Sequence, residues 1–216
     1  MNHILETRRI HGFDVNILVS HDTENPLEWG NATLLTAHRR YTFGGSKLPF
    51  DANSIEEAFD WHLDSKGLTR RDVIWLPVYL YDHSGLVLSD TPFGAPWDSG
   101  QLGYIYERRD VIRAEYHVQR ISRKLEQSVL ARLRHTLQLL EYWANGNVYA
   151  YEIPALDEYC GGFYGWDHDT SGLLEYATNA IDVHLHQQRQ KRYACLKQLL
   201  RDHVPLHLRP ALLAVH

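Results

Sequence analysis

One short string in the sequence combines three residue types that hydrolases use. Asp82, His83 and Ser84 supply a carboxylate, an imidazole and a hydroxyl in direct succession, and a catalytic triad uses these groups as orienter, base and nucleophile. Consecutive strand residues point to opposite faces, however, and triad members normally converge from separate segments. The favoured alternative is a turn in which Asp82 and Ser84 bond backbone amides while Gly85 adopts a positive φ.

A second string offers the parts of a recognition surface. Trp97, Asp98, Ser99 and Gln101 place an aromatic face, a carboxylate, a hydroxyl and an amide in one glycine-containing loop. Mixed groups of this kind on an exposed loop are typical of binding sites. The alternative is a structural loop in which Trp97 is buried and Asp98 holds backbone amides. The residue types alone do not separate these two hypotheses.

Cys160 is a candidate nucleophile because Gly161 and Gly162 follow it directly. Exposed backbone amides near the glycines would suit an oxyanion, with His83 or His38 as the base. A lone cysteine on a strand is more often a small core residue. The core interpretation is therefore favoured.

A basic string, His38-Arg39-Arg40-Tyr41, could bind a phosphate or a carboxylate. Arginine forms bidentate contacts with such anions, and a tyrosine can stack on a nucleic-acid base. The favoured alternative is structural, with one arginine in an ion pair and the other exposed. Single-stranded nucleic-acid binding through this string and surface aromatic residues remains a third functional hypothesis.

Hydrophobic spacing predicts the elements that position these strings in the first half of the chain. Residues 13–20 alternate apolar and polar side chains, which predicts an opening strand. A capping-box pattern followed by apolar residues at helical spacing predicts a short helix over 54–65. Residues 73–81 and 86–88 flank a turn and predict a hairpin. Pro77 cannot donate a hydrogen bond to a neighbouring strand, so we expect it at a sheet edge or bulge.

The second half of the chain predicts two helices and another hairpin. An apolar stripe and an Asn-Gly stop indicate a long amphipathic helix over about 122–144. Residues 148–153 and the glycine-rich 159–165 predict paired strands. Residues 173–203 lack proline and glycine and predict a C-terminal helix.

These elements indicate the α+β class, with a largely antiparallel sheet packed against the 122–144 helix. We expect the C-terminal helix to cover a further face or to form a homodimer contact. At 216 residues the chain has the length of a single domain over 1–216. Two prolines interrupt residues 205–216, which predicts a loosely docked tail.

Charge and composition select no particular partner or cofactor, and nucleic-acid binding stays possible without being indicated by charge. The formal net charge of −5 has the wrong sign for a generally basic nucleic-acid binder. The two cysteines have no zinc-type spacing, and His184 and His186 fall about 200° apart on a helix, so we expect no metal site. Walker and dinucleotide-type glycine patterns are missing, so no cofactor is expected. No apolar run suits a signal peptide or membrane span, which predicts a cytoplasmic protein.

Five strings resemble an uncharacterised family of proteins from phages, prophages and integrated mobile elements. The resemblance covers about residues 13–168 and departs from the family pattern at Gly30, Ala37 and Gly161. Its two longest matches are Leu-Pro-Val-Tyr-Leu-Tyr-Asp-His-Ser-Gly and Pro-Trp-Asp-Ser-Gly-Gln-Leu-Gly. The strings occupy residues 25–31, 38–41, 76–85, 96–103 and 161–165.

The resemblance implies an accessory role in a bacterial host cell, such as host takeover or interference with a defence system. It implies no reaction and therefore transfers no catalytic residue. Our leading hypothesis is a non-enzymatic binder of a host macromolecule. The enzymatic alternative is a small hydrolase or transferase built from Asp82, His83 and Asp98, with Cys160 as an optional fourth member. It requires the groups that take part to converge in one pocket.

Overall fold

The structure of the protein is a computed structural model that describes residues 4–21, 23–48, 52–94 and 97–205. These residues form nine strands and four α-helices, together with short 3-10 helices at Pro26–Trp29, Arg70–Asp72 and Pro154–Leu156. The strands are β1 (Ile4–Ile10), β2 (Phe13–Val19), β3 (Thr33–Thr36), β4 (Ser46–Lys47), β5 (Val73–Asp82), β6 (Leu86–Ser89), β7 (Ser99–Arg108), β8 (Val148–Ile153) and β9 (Glu158–Tyr164). The helices are α1 (Ile55–Ser65), α2 (Arg109–Glu115), α3 (Arg123–Ala144) and α4 (Leu173–His203).

The first sheet has four antiparallel strands in the order β1-β2-β8-β9. Its first hairpin turns at His11 and Gly12, whose φ values of 49° and 90° both lie in the left-handed region. A two-residue turn that matches the twist of its strands requires this conformation. The first part of α4 packs on the sheet through Leu173, Ala177 and Ile181, which recur every four residues and are fully buried.

The second sheet has the order β4-β3-β7-β5-β6, and its pairs are antiparallel except β3 with β4. Helices cover both of its faces. Ile105 of β7 packs in one core cluster with Leu133 of α3, whereas the adjacent Tyr104 packs in another with Phe59 of α1. Because successive strand residues point to opposite faces, residues 102–107 of β7 are all buried.

A β-bulge interrupts β7 before this buried run. The pairing with β5 skips Leu102, which is the extra residue of the bulge. The next residue, Gly103, passes so close to β3 that an added Cβ would lie 1.9 Å from the carbonyl oxygen of Leu35. Glycine is therefore required at this close approach, and the bulge separates residues 99–101 from the buried part of the strand.

The α+β class predicted from the sequence is confirmed. The helices predicted over 54–65, 122–144 and 173–203 are α1, α3 and α4. Serine caps start the first two of these helices: the hydroxyls of Ser54 and Ser122 accept N–H bonds at 3.1 and 3.2 Å from residues three positions later.

Strand β1, helix α2 and the division of the strands into two sheets were not predicted. The residues of β1 are mostly exposed, so they lack an alternating pattern. Helix α2 has seven residues, too few for a periodic signal. Pro77 was expected at a sheet edge or bulge. It lies in β5 before the residues that pair with β6, and before the bulge in the pairing of β5 with β7.

Most of the tail predicted over 205–216 lies outside the described residues, which end at 205. Positions 95 and 96 of the loop before β7 also lie outside them. Among the helices of the described ranges, none combines the length and the apolar composition needed to cross a bilayer.

Candidate functional site: the Trp97 cleft

Three segments that are distant in sequence meet at one end of the second sheet. Residues 38–41 follow β3, residues 82–85 include the end of β5 and the turn after it, and residues 97–101 include the start of β7. They meet because β3 and β5 both pair with β7. The segments line an open cleft of about 320 Å³, which we term the Trp97 cleft and which is formed by His38, Leu80, Asp82, Trp97, Asp98, Ser99, Gly100 and Gln101.

Asp82 is held by two residues of the basic string. The Tyr41 hydroxyl donates a 2.9 Å hydrogen bond to Oδ2 of Asp82. Nη1 of Arg40 lies 3.9 Å from the same oxygen, and its hydrogen bond to Tyr41, together with the charge of Asp82, raises the pKa of the guanidinium. The Asp82 side chain is 39% exposed, so solvent and a ligand can both reach its carboxylate.

His38 is fixed by the backbone that follows it. Its Nδ1 accepts N–H bonds from Arg40 and Tyr41, both at 3.2 Å, and its ring stacks on Tyr41 with centroids 5.0 Å apart. A ring nitrogen that accepts these bonds carries no proton, so the neutral ring is protonated at Nε2. These contacts fix the orientation of the His38 ring at the edge of the cleft.

His83 and Asp98 form a loose contact at the same end of the sheet. Nδ1 of His83 lies 3.6 Å from Oδ2 of Asp98, and the two side chains are 64% and 43% exposed. This distance exceeds a normal hydrogen bond. The backbone fixes the pair more firmly, because the amide of Asp82 donates a 2.8 Å bond to the carbonyl of Asp98.

Trp97 is 95% exposed, so the hypothesis of a structural loop with a buried Trp97 is wrong. Ser99 and Gln101 line the cleft together with Trp97. Both arginines of the basic string are exposed and lie outside the cleft lining, and Arg40, 75% exposed, has its guanidinium 3.9 Å from Asp82.

Asn145, at the end of α3, fixes the turn that carries Asp82 and His83. Its side chain accepts a 2.9 Å bond from the amide of Leu86 and donates a 2.7 Å bond to the Leu86 carbonyl. The sequence indicated Asn145 as a helix stop. The cross-link to β6 depends on a tertiary contact between residues 59 positions apart and has no local signal.

Cys160 lies away from the Trp97 cleft. It lines a separate groove of about 620 Å³ between α3, β9 and the 3-10 helix Pro26–Trp29. His135 is the histidine in that groove; His38 and His83, the proposed bases, are not among its lining residues. Cys160 therefore takes no part in a set with Asp82, His83 and Asp98, which meet at the Trp97 cleft without it.

An ion pair in the same groove, between the buried Glu107 and the partly exposed Arg132, was not predicted. The Glu107 side chain is 1% exposed, and Nε and Nη2 of Arg132 donate to its oxygens at 3.0 and 2.5 Å. Arg132 also bonds Glu115 at 2.7 Å. These hydrogen bonds, the one to Glu115 first, raise the pKa of Arg132. The sequence feature that could have indicated this pair is Glu107 itself, a carboxylate directly after the apolar run of β7.

The lining of the Trp97 cleft combines acidic and aromatic side chains. Asp82 and Asp98 place two carboxylates beside an indole, and both groups attract a guanidinium or ammonium ion. Within the described ranges, no three or more His, Cys, Asp or Glu side chains are placed to hold a metal ion.

No family model matches the chain, and the comparisons found no similar curated protein and no similar solved structure.

Proposed function

We propose that the protein is a non-enzymatic binding module that captures a host macromolecule through the Trp97 cleft. The observation that carries the proposal is the 95% exposure of Trp97 beside a cleft built from three chain segments. A tryptophan buries a large area when a partner covers it, and tryptophans are enriched among the residues that dominate binding energy.

The cleft favours a protein partner that presents a lysine or arginine side chain. Its carboxylates, Asp82 and Asp98, are 39% and 43% exposed and would repel a phosphate. A basic side chain inserted between them would gain charge-assisted hydrogen bonds and a contact with the indole. This chemistry supports protein capture more strongly than single-stranded nucleic-acid binding at His38-Arg39-Arg40-Tyr41.

The open geometry supports binding over catalysis. The His83 and Asp98 side chains are 64% and 43% exposed, so water weakens any electrostatic contribution they could make to a reaction, whereas closed active sites exclude water. The resemblance to phage and mobile-element proteins adds the setting. We infer an accessory protein that acts in the bacterial host cytoplasm on a host protein, in host takeover or against a defence system.

Affinity purification from a bacterial host extract tests the proposal. The tagged protein and its Trp97→Ala variant are compared by quantitative mass spectrometry. We expect at least one host protein to be enriched by the unchanged chain and reduced about tenfold or more with the variant, because truncation of a central tryptophan costs about 2 kcal/mol or more.

Trp61→Ala is the matched control. Trp61 is 43% exposed and lies on α1, outside the lining of the cleft. The partner should remain enriched with this variant. Failure to enrich any host protein, or equal enrichment by the Trp97→Ala variant, would reject the cleft as the capture site.

A further inference from the structure

Helix α4 changes character along its length. Its first half packs on the first sheet through Leu173, Ala177 and Ile181. Beyond Leu185 this packing ends, and residues 186–199 are all exposed. A helix of 31 residues is roughly 46 Å long, so α4 extends well past the sheet that anchors it.

The exposed half of α4 is basic. Residues 183–201 contain no Asp or Glu, in a chain with 27 acidic residues among 216. The same stretch carries five cations, namely Arg189, Lys191, Arg192, Lys197 and Arg201. A positively charged arm therefore projects from a protein whose formal net charge is −5.

Many of the cations outside α4 are paired with carboxylates. Eight arginines outside α4, including Arg70 and Arg132, lie within 4.0 Å of a carboxylate. Arg189, Lys191 and Arg192 form no ion pair within the described part of the chain, and neither does Lys197. Folding therefore leaves these four charges uncompensated.

We propose that the exposed half of α4 binds the phosphate backbone of a double-stranded nucleic acid. Clustered Lys and Arg side chains on one helix are the electrostatic footprint of such binding. A helix that lies in a duplex groove meets phosphates on both sides, and the width of the major groove admits an α-helix.

The distribution of charge around α4 favours a polyanion as its binding partner over a bilayer surface or a second copy of the chain. Arg189 and Arg192 fall on the same face as Leu196 and Leu199, because these positions follow helical spacing, and they interrupt the apolar stripe that a bilayer surface would need. Lys191 and Lys197 lie on other faces. A second copy of the same basic helix would be repelled by like charge.

The proposal is tested by fluorescence anisotropy with a labelled DNA duplex of about 30 base pairs, titrated with the full chain between about 50 and 200 mM salt. We expect salt-dependent binding whose dissociation constant rises about 100-fold over this range, as about four phosphate contacts predict. Replacing Arg189, Lys191, Arg192 and Lys197 by glutamine should weaken binding at least about tenfold at the lower salt and flatten the salt dependence.

A charge-matched variant provides the control. Arg71, Arg120, Arg123 and Lys124 are exposed cations outside α4, and replacing these four by glutamine makes the same change in net charge. We expect this control to bind within about twofold of the unchanged chain. Glutamine has nearly the helix propensity of lysine and arginine, so circular dichroism should show unchanged helix content in the α4 variant.

Three outcomes would overturn the proposal. The first is no duplex binding at about 50 mM salt, and the second is an equal loss in both glutamine variants. The third is binding of the α4 arm to vesicles that contain phosphatidylserine, or its self-association, without duplex binding. Trp97→Ala should leave the affinity for the duplex unchanged. Failure of nucleic-acid binding by α4 can therefore be distinguished from failure of protein capture at the Trp97 cleft.

Discussion

The two ends of β7 hold carboxylates under opposite conditions. At the buried end, Glu107 is 1% exposed and Arg132 bonds both of its oxygens. At the other end, Asp98 directly precedes the strand, is 43% exposed and lies 3.6 Å from His83. The same strand therefore positions one charge inside the protein and another at its surface.

This difference separates a structural charge from a recognition charge. A buried carboxylate must be paired, because an uncompensated charge in the interior is strongly destabilising. An exposed carboxylate contributes little to folding through a surface contact and can therefore be held for a partner. Substitutions at the buried end should change stability, and those at the exposed end should change binding.

The largest effect is expected at Arg132. Arg132→Met leaves Glu107 buried without a cation, so the free energy of unfolding should fall by about 3–5 kcal/mol. Denaturant titration followed by circular dichroism measures this change. Adding Glu107→Met removes the orphaned charge and should restore most of the loss. A loss in the double variant as large as in the single one would contradict this account of the pair.

The bulge that divides the two ends should be nearly as sensitive. Gly103→Ala places a Cβ 1.9 Å from the backbone oxygen of Leu35, so β3 and β7 must separate. We expect a loss of about 2–4 kcal/mol in the free energy of unfolding. Gly100→Ala is the control on the same strand, because nothing lies within 4 Å of an added Cβ there. Equal melting temperatures for the two variants would show that the close approach does not constrain the strand.

The contrast between these ends could be predicted only in part from the sequence. Trp97, Asp98 and Asp82 were identified because their strings carry turn residues and chemistry-bearing side chains. Their meeting depends on the pairing of β5 with β7, which joins segments far apart in sequence and has no local periodicity. Glu107 follows an apolar run, and nothing in that run indicates that Arg132, 25 positions later, lies beside it.

The helices were predicted well because their sequence signals are local. The stripes of α1 and α3 and their serine caps are local patterns, complete within one or two dozen residues. The exposed half of α4 shows the limit of such patterns, because its helical composition does not reveal that its packing ends near Leu185. Burial is a property of neighbouring elements and requires the tertiary structure.

At the exposed end, Asp98→Asn should alter binding without altering stability. The amide keeps the shape of the side chain but removes the charge offered to a basic partner, so we expect capture to weaken by about 1–2 kcal/mol, roughly tenfold. The free energy of unfolding should change by less than about 0.5 kcal/mol, as for most surface substitutions. Quantitative pull-down and denaturant titration measure the two quantities. A large loss of stability with unchanged capture would assign Asp98 a structural role.

The smallest change in stability is expected at Glu141, a second buried carboxylate that can be compared with Glu107. Glu141 is 5% exposed and accepts a 2.7 Å bond from the amide of Leu88, but it forms no ion pair with any residue that the structure describes. Burial raises its pKa above the usual 4.5, against the opposing effect of the Leu88 bond. The folded state therefore favours the protonated acid.

The stabilisation from protonated Glu141 is complete below pH 4.5 and is lost as the pH rises through the higher folded pKa. Glu141→Gln keeps a neutral acceptor for the Leu88 amide, so at pH 7 the variant should be more stable than the unchanged chain, by up to about 1 kcal/mol. Denaturant titrations between pH 4 and 7 measure this difference, which should shrink as the pH falls. A pH-independent difference would mean that the charge of Glu141 has no part in it, and that a buried carboxylate in this fold does not need the cation that Arg132 gives Glu107.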